Sequence, residues 1–444
     1  MMREIILNLL YNLGGKREVE RYLREYTQPG STRTTVVKVG GALIENDLED
    51  LASSLAFLRH VGMAPVVVHG AGPQLSRDLE AAGIQSRWVE GLRVTTPEVL
   101  QMAHRMFLRE GARLAEAIDA HGVRARMIPS GIFEAVPDDP DRLGLVGRIT
   151  RVDLAPVRAA LEAGYLPVLS PLGVTSDGQM LNINADTAAR ALSEALRPGK
   201  VIFLTETGGI LGGDGQVISA INLEEDQKQL MDSGQVTGGM ARKLIEIGEL
   251  LENLPAHASI SITKPAHLAR ELFTHKGSGT LVRRGAAIEV YDGLHGLDLD
   301  RLRTLLESSF GRELRDDYFT KTMNAEALIA PYTAVAIVVD DEEPVAYLDK
   351  FAVTAEAQGA GIGASLWNKL VERHPRLFWR SRADNPINGW YMQRADGMER
   401  TDKWLIFWRG LDTSAQVEKA IERALSYEPS FGSALKPEEV PVGV

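Results

Sequence analysis

Lys38 stands between Val37 and Val39 in a short apolar run, directly before Gly40-Gly41. An ammonium group in an apolar strand is costly to bury unless it meets an anion. Lys243 offers a second cation shortly after Gly238-Gly239-Met240, at the expected start of a helix. Asp186 opens another helix after Asn182-Ile183-Asn184. Two lysines converging on one phosphoryl group, held by one carboxylate, would suit a transfer that needs positioning and charge stabilisation. Spacing alone leaves open whether they converge. Three glycine turns, Gly40-Gly41, Gly70-Ala71-Gly72 and Thr207-Gly208-Gly209, read as strand-to-helix turns whose amides could cradle an anion. Taken singly, each reads more readily as a steric turn. No Gly-x-x-x-x-Gly-Lys-Ser/Thr run occurs, which excludes a Walker-type site.

A second constellation lies near the other end. Gln358-Gly359-Ala360-Gly361-Ile362-Gly363 follows an apolar run and precedes a helix expected over 364–374. A strand, a small-residue loop and a helix N-terminus can bind pyrophosphate through main-chain amides, although the same residues also make an ordinary tight turn. Arg380 and Arg382 fall on one face of a strand, because side chains alternate with period two. Two guanidinium groups on one face suit a dicarboxylate, or simply form a solvated strand face. The chain contains no cysteine, so acyl transfer through a thiolate and cysteine-based metal sites are excluded.

The elements that must carry these groups divide the 444 residues into more than one domain. Helical spacing of Ile5, Ile6, Leu9, Leu10 and Leu13, then of Val19, Tyr22, Leu23 and Tyr26, predicts a leading helical arm over 1–30. It is read either as a contact between subunits or as helices folded back on their own domain. From Thr35, strands (Thr35–Val39, Pro65–Val68, Leu166–Leu169, Val201–Leu204, Ser259–Ile262) alternate with helices (Leu48–His60, Ala185–Leu196, Met240–Leu254). That alternation predicts an α/β domain over 31–288, a mainly parallel sheet covered on both faces, with ligands beyond the strands' carboxyl ends. The pattern then changes. A helix over 298–310 and strands at Thr333–Val339, Val345–Val353, Leu377–Arg380 and Trp404–Trp408 predict an α+β domain over 297–430, with a loose tail over 431–444. A net charge of −11 argues against nucleic-acid binding, and no apolar run approaches membrane-spanning length.

The ordered set Lys38-Val39-Gly40-Gly41, His69-Gly70-Ala71-Gly72-Pro73-Gln74, Gly91-Leu92-Arg93-Val94-Thr95, Asn182-Ile183-Asn184-Ala185-Asp186 and Gly239-Met240-Ala241-Arg242-Lys243 resembles the amino-acid kinase family, in its N-acetylglutamate kinase branch. The resemblance implies an αβα sandwich with Lys38 and Lys243 on the transferring phosphoryl group, held by Asp186. It implies acetylglutamate on Gly70, Gly72, Arg93 and Asn182, and ATP with Mg²⁺ on Gly40, Gly41, Thr205, Gly208 and Gly209. Ala71 stands where the family usually has glycine, and a modest effect on substrate affinity is expected. His267, Glu271, Gly277 and Gly279 are similar to the arginine-binding end of arginine-inhibited members. The arm is similar to the one such kinases use to associate, which implies a homo-oligomer, a tetramer or another dimer-based assembly.

Gln358-x-x-Gly361-x-Gly363 resembles the coenzyme A loop of GNAT acetyltransferases. Together with Leu348-Asp349-Lys350-Phe351 and Asn385-Pro386-Ile387-Asn388-Gly389-Trp390-Tyr391, it resembles the vertebrate-type N-acetylglutamate synthase domain. That resemblance implies acetyl-CoA on Phe351, Val353, Gln358, Gly359, Gly361 and Gly363. It implies glutamate on Leu348, Arg380, Arg382 and Asn385, with Tyr391 as the catalytic acid that protonates the departing coenzyme A, or as a hydrogen-bond donor to its sulfur. Arg312 stands where related synthases often carry lysine. The implied whole is a cytoplasmic, bifunctional enzyme of arginine biosynthesis that makes N-acetylglutamate and then phosphorylates it. The alternatives are a kinase with a regulatory second domain, or a synthase whose kinase fold only senses arginine.

Overall fold

The structure, a computed structural model, describes residues 34–434 except 235, 237, 256–257, 275–277, 340–343, 355–356 and 358–360, together with positions 9–12, 16, 19–20 and 22–23. The chain forms two compact units, the first running to Arg284 (without 224–226) and the second running from Gly285 and including 224–226.

In the first unit, β-branched runs form a buried sheet. Among the described residues it has eight strands, ordered Ala220–Asn222, Thr280–Arg283, Ser259–Thr263, Lys200–Leu204, Thr34–Val39, Ala64–His69, Leu166–Leu169 and Ala125–Ile128. Every pairing is parallel except that of Ser259–Thr263 with Thr280–Arg283. Alternation on Thr34–Val39 sends Val37 and Val39 into one core, with Leu51 and Leu55 of helix Leu48–His60. Val36 goes into the other, with Ala188 and Ala189 of helix Ala185–Leu196 and Leu244 of helix Gly238–Asn253. Lys38 shares the face of Val36. The strand's period therefore aims its ammonium toward the two helices that carry Asp186 and Lys243.

Several elements were not legible beforehand. The 24-residue helix Pro97–Ala120 begins at Thr96, whose hydroxyl accepts the Val99 amide. A second sheet, ordered Met180–Asn182, Leu172–Val174, Phe133–Pro137 and Gly147–Val152, carries Asn182 on its edge. Most of the leading arm lies outside the described residues. Its described Leu10, Val19 and Tyr22 are buried in the unit's own core beside Leu43 and Leu51, as in the folded-back reading.

In the second unit, seven described strands run in the order Glu289–Tyr291, Glu326–Ala330, Ala334–Val339, Ala346–Val353, Leu377–Arg382, Trp404–Arg409 and Gly397–Arg400. Only Ala346–Val353 and Leu377–Arg382 pair in parallel. Helix Leu299–Phe310 is capped by Asp298, which accepts the Asp300 and Arg301 amides. The expected tail over 431–444 needs correction at its start. Phe431–Ala434 is a strand paired with Arg312–Leu314, because Phe431 packs its ring 4.7 Å from that of Phe310.

Candidate functional site

The first unit brings its sequence-selected cations together. Lys38 Nζ lies 3.0 Å from Asp186 Oδ1, with 16% of the Lys38 side chain exposed. Asn184 fixes the helix start by accepting the Asp186 and Thr187 amides. Lys243 sits in the second turn of its helix, beyond the initial turn expected for it. Its Nζ stands 6.0 Å over the ring of Phe203, which is the cross-strand partner of Lys38. Burial and then the neighbouring Lys38 charge pull the Lys243 ammonium below the ordinary lysine range, against Asp186 and Glu246. Two neighbouring cations have one paired carboxylate, on Lys38, an arrangement that a polyanion would complete.

The glycine turns pack against one another. A Cβ on Gly41 would fall 2.9 Å from Ala71 Cα and 3.1 Å from Gly70 O, so the close approach requires glycine. Gly70 donates its amide to Val39 O at 2.9 Å, and buried Gln74 donates Nε2 to Gly41 O at 2.7 Å. Spacing alone assigns Gln74 no role; its signal is an amide side chain in the first turn of a helix that begins in the glycine loop. Ala71 has φ −147°, a conformation open to any L residue, and Gly72 has open space where a Cβ would stand. His69, fully buried beside Gly70, is held neutral by desolvation, its pKa lowered to about 4.

Arg93 is 7% exposed and has no carboxylate among its described partners. It donates to Ser86 Oγ, to Ser76 Oγ at 2.6 Å and to Gly72 O at 3.5 Å, and burial pulls its pKa down. A buried guanidinium with neutral partners is a receptor for an anion. Asn182 donates Nδ2 to Thr95 Oγ1 at 3.1 Å, two residues beyond Arg93.

The third turn differs from expectation. Thr207-Gly208-Gly209 precedes no helix; the chain continues into a Leu211–Val217 bridge and strand Ala220–Asn222. Gly208 has φ +77°, its amide donates to Thr205 Oγ1 at 3.1 Å, and a Cβ there would strike Lys264 Cγ at 2.8 Å. Exposed Lys264, missed by sequence reasoning, thus lays its stem over this turn. A Cβ on Gly279 would reach within 3.1 Å of Gly208 O. Buried Glu271 accepts the amides of Ser278 (3.0 Å) and Gly279 (2.9 Å) and the hydroxyl of Ser261 (2.8 Å). The carbonyl of exposed His267 accepts from Ser278 Oγ at 3.2 Å, while Gly277 lies outside the described residues. Among the described residues no group of three acidic, His or Cys side chains could hold a metal.

In the second unit, Ala346–Val353 and Leu377–Arg382 pair only from Ala346↔Leu377 to Leu348↔Trp379, after which both strands continue apart. Their inner main-chain edges are thereby left open to a ligand. At the same level Asp349 is an extra residue against Ile337–Val338, a bulge that reverses the alternation. Leu348 and Phe351 consequently share one face with Tyr391, Trp367 and Trp379, while Lys350 turns to the other. Tyr391, on helix Asn388–Met392, is enclosed by Phe351, Trp367, Trp379, Trp390 and Phe407, and desolvation raises its pKa far above the ordinary phenol range.

Arg380 and Arg382 share the opposite face, as their spacing predicts, but the chain itself supplies partners. Arg380 donates to Ala424 O at 2.7 Å and Glu428 O at 3.0 Å, tying down the end of helix Ser414–Ser426. Arg382 pairs with Asp384 at 3.1 Å, and Arg312 donates to Gly432 O at 2.5 Å. Asn385 Oδ1 accepts the Ile387 amide at 3.2 Å. Lys350, to which the motif alone gives no role, is 5% exposed. Its Nζ meets Asp349 Oδ2 at 2.7 Å and Ser430 Oγ at 2.8 Å, and burial lowers its pKa. Gly361, with φ +86°, caps helix Ile362–Arg373, which starts earlier than expected; a Cβ on Gly363 would stand 3.3 Å from Val353 Cγ2. Gln358 and Gly359 lie outside the described residues.

Comparison with known proteins falls along the same division. A family model described as the amino acid kinase family matches residues 33–260, and one described as the N-acetyltransferase of N-acetylglutamate synthase matches 289–426. An acetylglutamate kinase of Xanthomonas campestris is 45% identical, aligned over 94% of this chain and 100% of its own length. A mitochondrial N-acetylglutamate synthase of Danio rerio is 31% identical over 97% of this chain and 81% of its own. Among solved structures, N-acetylglutamate synthase of Neisseria gonorrhoeae, complexed with coenzyme A and N-acetylglutamate, superposes with a TM-score of 0.58 over 89% of this chain and 98% of that one. At 22% identity it shares the fold.

Proposed function

The chain belongs to the amino acid kinase family and carries the N-acetyltransferase domain of N-acetylglutamate synthase, and from that premise we propose that it makes N-acetylglutamate and then phosphorylates it. In the second unit the amine of glutamate attacks the acetyl carbonyl of acetyl-CoA. The C–N bond forms, the C–S bond breaks, the amine proton leaves to solvent and the departing sulfur takes up a proton. In the first unit a carboxylate oxygen of N-acetylglutamate attacks the terminal phosphorus of ATP and ADP departs.

The observation that carries the kinase half is the Lys38–Asp186 pair at 3.0 Å with Lys243 alongside. Both ammonium groups would neutralise the charge spreading over the transferring phosphoryl group. Arg93 and Asn182 would hold the acetylglutamate carboxylates, and the amides of Gly40, Gly41, Gly70 and Gly72 would complete the cradle. Thr205, Gly208 and Gly209 would receive the nucleotide. This set of cations and amides fits ATP, with Mg²⁺ held chiefly by phosphate oxygens and water.

The open strand edge beyond Leu348 and Trp379, with Gly361 capping a 12-residue helix, supports acetyl-CoA binding there. Glutamate would be held by Leu348, Arg380, Arg382 and Asn385, on the two strands that form that edge and the loop beyond them. Tyr391, held protonated by its apolar cage, suits a hydrogen bond to the sulfur better than proton donation.

A second reading, a kinase whose acetyltransferase unit regulates it, draws on one observation: Arg380 and Arg382 already have partners within the chain. Assaying the purified protein for glutamate-dependent release of coenzyme A, and separately for ATP-dependent acylphosphate, decides between them. No coenzyme A release from an active kinase would leave the regulatory reading standing.

Arginine is proposed as an effector at His267, Glu271 and Gly279, and flat rates with no calorimetric signal on adding arginine would end that proposal. A homo-oligomer and a cytoplasmic setting complete it; no described helix is long and apolar enough to cross a membrane.

A further inference from the structure

Trp88 is the tryptophan of this chain that lies outside the acetyltransferase unit; the other five fall at 367, 379, 390, 404 and 408. It is also 56% exposed, an unusual place for so large an apolar ring. Its position is set by a two-stranded hairpin, Trp88–Val89 with Leu92–Arg93, in which Trp88 pairs directly with Arg93. The turn between them, Glu90 (φ 51°) and Gly91 (φ 80°), has both central residues left-handed, the type that keeps a two-residue hairpin in register. Direct cross-strand partners share one face of a hairpin. The Arg93 guanidinium carbon accordingly lies 4.4 Å from the centre of the indole ring.

From this arrangement we infer that Trp88 is a specificity-determining residue of the phosphoryl-acceptor site, selecting glutamate that carries an N-acyl group. The inference rests on the reading of Arg93 as the ligand of a substrate carboxylate. Arg93 is buried and its described hydrogen-bond partners are neutral, Ser76, Ser86 and the Gly72 carbonyl. The indole covers one face of that guanidinium, keeps water from it and so strengthens its pairing with an incoming carboxylate. The rest of the ring, still exposed, offers apolar surface beside the charged contact. Free glutamate would bring an ammonium group toward the Arg93 guanidinium, a like charge in a site kept poor in water, whereas the acetylated substrate has a neutral amide and a methyl.

The test uses the full chain and its Trp88→Ala and Trp88→Phe variants. Acylphosphate formation would be measured against N-acetylglutamate, glutamate and ATP in turn. Loss of an apolar contact is worth about tenfold or more, so Trp88→Ala should raise the KM for N-acetylglutamate about tenfold. kcat should stay within about twofold and the KM for ATP should not move. Trp88→Phe should recover most of the difference. Intrinsic fluorescence gives a second readout: the signal change on adding N-acetylglutamate without ATP should be smaller in Trp88→Phe than in the wild type by the part that Trp88 contributes, the part from the acetyltransferase unit being common to both. An active wild-type enzyme together with an unchanged KM for N-acetylglutamate in Trp88→Ala overturns the inference. A wild type that forms no acylphosphate overturns instead the kinase reading on which it rests.

Discussion

In the first unit, Arg93 is buried among neutral partners, Lys38 pairs with Asp186, and Lys243 is crowded by the Lys38 charge. In the second, Arg380 is bonded to two main-chain carbonyls and Arg382 to Asp384. The contrast shows two ways of holding a cation in place before a ligand arrives. One leaves charge only partly compensated, so that a polyanion finds a prepared receptor. The other satisfies each guanidinium within the chain, so that a dicarboxylate must exchange with or add to existing bonds. Guanidinium groups allow this because five N–H donors leave some free when two are engaged.

The sharpest way to break the comparison is to remove a cation from the first cluster. Lys243→Ala should lower ATP-dependent acylphosphate formation by about 10²–10³-fold, the scale for losing one preorganised charge-stabilising group. Glutamate-dependent release of coenzyme A should be unchanged in the same protein. Equal loss of both activities would show a folding defect instead.

In the second cluster the two arginines should separate. Arg382→Ala, at an exposed pair, should raise the KM for glutamate about tenfold while changing stability by less than about 1 kcal/mol. Arg380→Ala should also destabilise the unit by about 1–3 kcal/mol, because it frees two carbonyls at the end of helix Ser414–Ser426. Denaturant midpoints beside kinetics would read both effects. Equal destabilisation by the two would remove the distinction.

An effect of the same order is expected at Tyr391. Its raised pKa keeps the phenol protonated throughout the neutral and moderately alkaline range, so Tyr391→Phe should lower acetyl transfer by about tenfold through a lost hydrogen bond. The alkaline side of the pH–rate profile should keep its shape. A limb present in wild type and absent from the variant would show that the phenol does transfer a proton.

A last effect, on stability and not on either activity, concerns acid. The folded His69 imidazole has its pKa lowered from 6.5 to about 4, so the unfolded chain binds more protons between those values. That stability is fully present above pH 6.5 and is lost as pH falls through the window, the loss reaching roughly 3 kcal/mol near its lower end. The comparison is a denaturation series from pH 7 to 4 with His69→Gln, which should flatten the dependence.

Much of the site was legible locally. Lys38 inside a valine run, Asp186 at a helix start and the Gly40-Gly41 and Gly70–Gly72 turns follow from strand period, capping and glycine's freedom, and each of those signals spans a few residues. The long helix Pro97–Ala120 and the second sheet were not legible, since their strands and amphipathic faces are defined by packing against distant elements. Thr207-Gly208-Gly209 misled for the same reason. A positive φ at Gly208 is compatible with several continuations, and the contact with Thr280, whose hydroxyl takes the Ile210 amide, selects one.

Sequence by itself determined which cations exist, the strand face on which Lys38, Arg380 and Arg382 lie, and the absence of thiol chemistry, because those depend on residue type and period two. Tertiary structure alone decided which of them meet. Asp186 reaches Lys38 because their elements pack through Val36, Ala188 and Ala189. Arg380 reaches the Ala424 carbonyl in a helix 44 residues further along the chain. The Asp349 bulge turns Lys350 away from Leu348. Side-chain reach is a few ångströms and knows nothing of separation along the chain, so partner choice waits on the fold.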